Sequence, residues 1–136
     1  MRDTYNNLKL VPAIPPVTIT DNTPLVGAII SNAGFQSLTY GIQSGILADA
    51  DATFAVLLEE SDAADLSGSN PVADSDMLGT ELLAGFTFAN DGVTRKLGYI
   101  GSKVYTRLTI TPTGNTGSAP ISAVAVLSHA NTRPVA

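Results

Sequence analysis

Residues 93–112 read VTRKLGYIGSKVYTRLTITP, and residues 121–128 read ISAVAVLS. Read for periodicity, the two stretches give successive strands; Val104 to Ile110 alternates in the manner of a strand with one buried face, and residues 121–127 are a run of small and β-branched residues. Three strands follow one another, broken first at Gly101-Ser102 and then over the Gly- and Pro-containing stretch from Thr111 to Pro120. Arg95 to Ile100 and Val104 to Ile110 are expected to pair as an antiparallel hairpin across Gly101-Ser102. The block is built from Thr, Val, Tyr and Gly and holds almost no residue that does chemistry.

The same period recurs upstream. Leu38 to Ile42 alternates cleanly, and Ala52 to Ser61 reads as a central strand. Shorter strands are expected at Val17 to Thr20, Leu25 to Ser31 and Phe86 to Phe88, while Met77 to Leu83 fits either a strand or one helical turn. Turn signals stand at Asp21 to Pro24, Asn32 to Gly34 and Asn90 to Gly92, and residues 62–76 form a long polar loop. Eight or nine short strands near ten residues apart, with no long helix, predict an all-β fold. The arrangement expected is an antiparallel β-sandwich, jelly-roll-like. Pro12, Pro15 and Pro16 exclude helix near the start and favour stiff extended backbone. The expected division is therefore an extended N-terminal arm over residues 1–16 and a single β-sandwich domain over residues 17–136, long enough for one modest core.

Charged residues make up 14% of the chain, well below the usual quarter of a globular protein. The absence of cysteine removes disulfides, thiolate nucleophiles and Cys-based zinc sites from consideration. No apolar leader follows Met1, and the longest apolar run, Leu25 to Ile30, is too short to cross a bilayer. The chain is expected to act without export and without a membrane partner. Eleven of the twelve acids and none of the seven bases fall between Lys9 and Arg95, and the net charge is −5. That balance argues against nucleic acid as a partner, because phosphate binding needs a basic surface. The uneven map has two explanations, neutralisation inside the fold or complementary faces for assembly, and both stay open.

Few groups suggest catalysis. His129, the one histidine, would need a distant serine to make a dyad, and no nucleophile elbow is present. The acidic pairs Asp49/Asp51, Glu59/Glu60 and Asp74/Asp76 do not open a calcium loop with its closing Glu, so they read as solvated loop acids. Gly98 to Gly101 is no phosphate cradle, since no helix and no Lys-Ser/Thr ending follow it. Tyr5, Tyr40, Tyr99 and Tyr105 would serve sugar stacking only if they shared one face. No catalytic, cofactor-binding or metal-ligating residue is nominated, no cofactor is expected, and the chain is not expected to be an enzyme.

Two segments carry a resemblance. A central strand running into Glu60-Ser61-Asp62 is followed by a polar loop and Val72 to Gly79 (VADSDMLG), and Gly98 to Leu108 (GYIGSKVYTRL) by a Gly/Thr-rich turn and a small-residue strand. Together, over roughly residues 52–130, they resemble the tailed-bacteriophage capsid cement (decoration) proteins, and are similar to the Bordetella phage cement protein family. The resemblance implies a jelly-roll-like sandwich on the exterior of an HK97-like capsid, in a virion assembled in the host cytoplasm. It implies two partners: the major capsid protein, whose neighbouring subunits it would clamp, and copies of itself as a dimer or trimer. It supplies no active-site residues. The alternative class is a carbohydrate- or receptor-binding sandwich of a tail fibre or adhesin, whose mark would be aromatic residues exposed on one sheet face.

Overall fold

The structure is a computed structural model that describes residues 2–135. Eleven strands and one short helix follow one another. β1 spans Leu8–Ile19, β2 Leu25–Val26, β3 Ile30–Ser31, β4 Phe35–Ser44, β5 Thr53–Ser61 and β6 Asn70–Pro71. β7 spans Met77–Leu78, α1 Glu81–Ala84, β8 Phe86–Thr87, β9 Thr94–Tyr99, β10 Tyr105–Thr113 and β11 Ala119–Ala130. One sheet has the order β1-β11-β4-β9-β7; the other has β2-β10-β5-β6, with β3 also on β10 and β8 also on β5. Every pairing is antiparallel. The all-β sandwich expected from the sequence is the one found.

The inner faces follow the alternation. Tyr40, Ile42 and Leu97 from the five-stranded sheet and Leu58, Leu108 and Ile110 from the six-stranded sheet are fully buried. Phe54 on β5 stacks on Phe86 of β8, with ring centroids 4.8 Å apart. A polar bond crosses the middle of the core: the Tyr40 hydroxyl and Thr106 Oγ1 lie 2.6 Å apart, both buried. Burial raises the Tyr40 phenol well above its ordinary value, so it stays neutral.

Three expectations are corrected. The hairpin over Arg95 to Ile110 does not form: β9 pairs with β4 and β7, whereas β10 pairs with β5, β2 and β3. The link over residues 100–104 therefore crosses from one sheet to the other, about 10 Å away. Alternation tells which way a side chain points and says nothing of which sheet its strand joins.

The segment Leu25 to Ser31 is not one strand. It is split at Gly27 and Ala28, whose N–H groups donate to Leu108 C=O (2.8 Å) and Ala13 C=O (2.8 Å). Here the backbone passes between β10 of one sheet and β1 of the other. A Cβ at Gly27 would lie 2.5 Å from the Leu108 carbonyl oxygen, so only glycine lets it through.

The third correction concerns residues 1–16. They are extended, as expected, but Leu8 to Pro16 is no arm. It belongs to β1, which pairs with β11 from Leu8↔Ser128 to Ile19↔Ala119 and buries Ala13 and Ile14 in the core. The prolines fit because β1 is an edge strand, where missing donors face solvent, and the register shifts between Pro12 and Val17. A boundary at residue 16/17 would cut through a strand.

Between its short pairings with β6 and β8, the edge of β5 is closed by one side-chain and one backbone bond. Leu58 N–H donates to Glu81 Oε1 at 2.6 Å, and its carbonyl accepts from Val72 N–H at 2.9 Å. Glu81 opens α1, which Thr80 caps by accepting from Leu83 N–H at 3.1 Å.

Replacing Tyr40 with Phe strands the Thr106 hydroxyl in the core and is expected to cost about 1–3 kcal/mol. Adding Thr106→Val removes the stranded group and should restore much of that loss. Chemical denaturation of the single and double variants checks this; equal losses in both would remove the hydrogen bond from the explanation.

Candidate interaction surfaces

Charge pairing is the first question left by the sequence, and the answer is divided. Arg107 on β10 lies directly across from Glu59 on β5, and the two form a partly buried ion pair at 3.0 Å. Lys103 bonds Asp62 at 2.6 Å, an exposed pair. The Asp62 carboxylate is the main cause that raises the Lys103 ammonium above its ordinary value. Tyr99 joins this group: its hydroxyl donates to Glu60 Oε2 at 2.6 Å and accepts from Lys103 N–H at 2.8 Å. Burial first, then the bond to Glu60, hold the phenol above its ordinary value. Among the described residues no salt bridge engages Arg95 or Lys96. These two neighbours also face opposite ways: Arg95 shares its row with buried Ile42, and Lys96 its row with Gly41 on the outer face.

The groups that suggested chemistry take structural positions. His129 does meet a distant serine: its Nδ1 lies 2.9 Å from Ser37 Oγ. Ser37 also bonds Ser128, and no acid holds the other ring nitrogen among the hydrogen bonds of the described residues. The trio ties β4 to the last turn of β11, where His129 takes a left-handed φ of 53°. Asp49 accepts from Thr116 Oγ1 and N–H, each at 2.7 Å, and from Asp51 N–H at 3.0 Å. It is a loop clasp. No group of three or more His, Asp or Glu among the described residues is placed to hold a metal ion. Tyr40 and Tyr99 are buried between the sheets while Tyr5 is exposed, so the four tyrosines form no platform.

The surfaces are more informative. On the outer face of the five-stranded sheet, the register builds two rows, Pro12–Val124–Gly41–Lys96 and Leu10–Val126–Thr39–Gly98–Leu78. Uncharged rows flank them, Ser122–Gln43–Thr94 and Leu8–Ser128–Ser37. Lys96 is the one charge in these rows, and no carboxylate is present. The face holds a shallow hollow of about 380 Å³ lined by Leu10, Pro12, Gly41 and Val124 among others. A Cβ on Gly41 would meet Val124 Cγ1 at 3.5 Å, and one on Gly98 would meet Leu78 Cβ at 2.9 Å. The glycines thus leave room for those side chains to lie down on the sheet. Leu10 and Leu78 are each 60% exposed.

A second apolar surface lies on the flank where α1 packs beside β5 and β9. An open cleft of about 520 Å³ is lined by Phe54, Val56, Phe86 and Leu82 among others. Leu82 (89% exposed) and Leu83 (67%) stand out from α1, and Phe88 is half-exposed close by in sequence. Sequence reading missed both surfaces. The available signal was Leu82-Leu83 beside an acidic helix start, too short to assign a face.

No protein-family model matches the sequence, and no curated protein matches it. Solved structures do match in shape. The chain superposes on the PBSX exported protein XepA at 12% identity, over 94% of this chain and 39% of that one, with a TM-score of 0.57. It superposes on VP2 of the infectious bursal disease virus subviral particle at 12% identity, over 93% of this chain and 33% of that one, with a TM-score of 0.50. The likeness is one of fold. This chain spans well under half the length of either protein.

The Asp49 clasp has a pH signature. The bond from the Thr116 hydroxyl, then those from backbone N–H groups, hold its carboxyl below the ordinary value of 3.8. A lowered folded-state pKa adds stability that is present above the unfolded pKa and is lost as pH falls through the folded one. NMR titration should place the Asp49 midpoint below 3.8, and Thr116→Val should move it upward. An unmoved midpoint in the variant would show that the hydroxyl does not hold the carboxylate.

Proposed function

We propose that this chain is a structural virion protein that binds the outside of an HK97-like phage capsid and clamps neighbouring major capsid subunits. The observation that carries the reading is that one small sandwich presents two separate apolar surfaces, an outer sheet face and a flank cleft, on a single frame. A clamp must hold two bodies at once, and a shared frame makes the second contact effectively intramolecular. The resemblance of residues 52–130 to capsid cement proteins supports the same reading. So does the fold, since VP2 of a subviral particle shares it and a sandwich of this kind can serve as a particle's building unit.

On this reading the chain has no catalytic role. It works as a homo-oligomer, and its low charge reflects surface that is covered in the assembled shell. The sugar-binding alternative gains nothing from the structure, because its aromatic platform is not assembled.

Co-sedimentation of the chain with purified, expanded HK97-like shells tests the proposal. Saturable binding and a raised melting temperature of the shell are expected. Leu82→Asp with Leu83→Asp should cut binding at least tenfold, about 1.4 kcal/mol or more, while leaving the chain's own melting unchanged because both side chains are exposed. Absence of binding to such shells, or a specific hit on a glycan array in its place, would overturn the proposal.

A further inference from the structure

We infer that the corner where residues 2–9 meet residues 131–135 docks against an acidic patch on a capsid subunit, with Tyr5 as its anchor. The inference deepens the capsid reading by naming the chemistry of the surface that the chain grips, and it rests on that reading for the identity of the partner.

Hydrogen bonds assemble the corner. A single 3-10 turn, Tyr5–Asn7, lies against β11, and its Asn6 C=O accepts from Val135 N–H at 3.1 Å. The Asp3 carboxylate braces the same turn, accepting from Asn6 N–H at 3.1 Å and from Asn6 Nδ2 at 2.8 Å. Arg2 is next to Asp3, Arg133 precedes Val135 by two residues, and Lys9 follows Asn6 by three. At about 3.3 Å per extended residue, Lys9 and Arg133 each lie within roughly 10 Å of the Asn6–Val135 bond. All three basic side chains are exposed, and among the described residues no salt bridge engages them.

Charge selects the partner. No Asp or Glu occurs in β1, β4, β7, β9 or β11, which together make the whole five-stranded sheet. Eleven of the twelve acids lie between Lys9 and Arg95, on β5, α1 and the loops, and Asp3 is the twelfth. Three of the seven bases therefore meet beside a single acid, at the edge of an acid-free sheet. A chain of net charge −5 is repelled by an acidic surface in every orientation except the one in which this corner leads. The corner thus steers the approach and fixes the orientation of docking. Three bases are too few to hold a polyphosphate backbone against the acids elsewhere, so the occupant is an acidic protein surface.

Tyr5 supplies the apolar part of the contact. Its ring is 87% exposed although its turn is pinned on both sides, so burying it orders little that is not already fixed. Tyrosine beside arginine is the composition of an interface anchor, and the phenol can donate to a carboxylate. Leu10, on the same strand as Lys9, joins the corner to the outer sheet face.

Two measurements on the full chain test this. In the first, a poly-Glu peptide and, separately, duplex DNA at the same charge concentration are titrated at low salt into the isotope-labelled chain. The peptide is expected to shift NMR signals of residues 2–9 and 129–135, and Arg2→Gln with Arg133→Gln should abolish the shifts. Shifts centred elsewhere, no shifts, or tighter binding of the DNA would overturn the inference. In the second, variants are co-sedimented with expanded shells. Tyr5→Ala and the double Gln variant should each bind at least about fivefold more weakly, with melting unchanged because the replaced side chains are exposed. Thr20→Glu with Thr113→Glu, exposed sites carrying the same change in net charge, should bind as the wild type does. An equal loss in that control would assign the effect to net charge and overturn the inference. A corner that takes the peptide on a chain that ignores shells sinks the capsid proposal alone. Shell binding that survives the Tyr5 and arginine changes sinks this inference alone.

Discussion

The hydroxyl of Tyr99 donates to Glu60 of the opposite sheet and accepts from Lys103 N–H in the very link that leaves its own strand. Much of the architecture depends on this contact. A chain that alternates between two sheets must make many crossings, and each crossing risks leaving buried polar groups without partners. At the crossing from β9 to β10, one side chain satisfies both the carboxylate and the backbone. Close by, Lys103 bonds Asp62 and Arg107 bonds Glu59, so two acids of the acid-rich centre find basic partners at this end of the sandwich. The Tyr40–Thr106 bond fastens the same two sheets deeper in the core.

The strands were legible in the sequence because period-two alternation reports a buried face directly. Phe35–Ser44, Thr53–Ser61 and Tyr105–Thr113 lie close to where alternation places them. Partnership between strands was not legible. Neighbours in sequence such as β9 and β10 alternate equally well whether they pair with each other or join different sheets. β1 was hidden by its prolines, which mark an edge strand and a free arm alike. The outer sheet face could not be read because β11 has apolar residues on both sides, so hydropathy does not say which side is the core. The flank cleft depends on Leu82 and Leu83 in a helix of four residues, too short to leave a periodic trace.

The expectations about chemistry met a different fate. A Ser–His contact does form at His129, yet it fastens the end of a strand. Asp49 holds a loop and Tyr99 holds a crossover. Groups that in other settings act as bases, ligands or stacking platforms here satisfy backbone donors and close loops. What remains unused by the fold is apolar surface: the outer face of one sheet and the leucines of α1. The capsid reading proposed above would cover those surfaces with other protein.

The most direct test is a cryo-electron microscopy map of an HK97-like shell decorated with the chain. The account predicts added density on the outer surface into which this sandwich fits, each copy touching two adjacent capsid subunits. Density confined to one subunit, or no density on the shell at all, would contradict it.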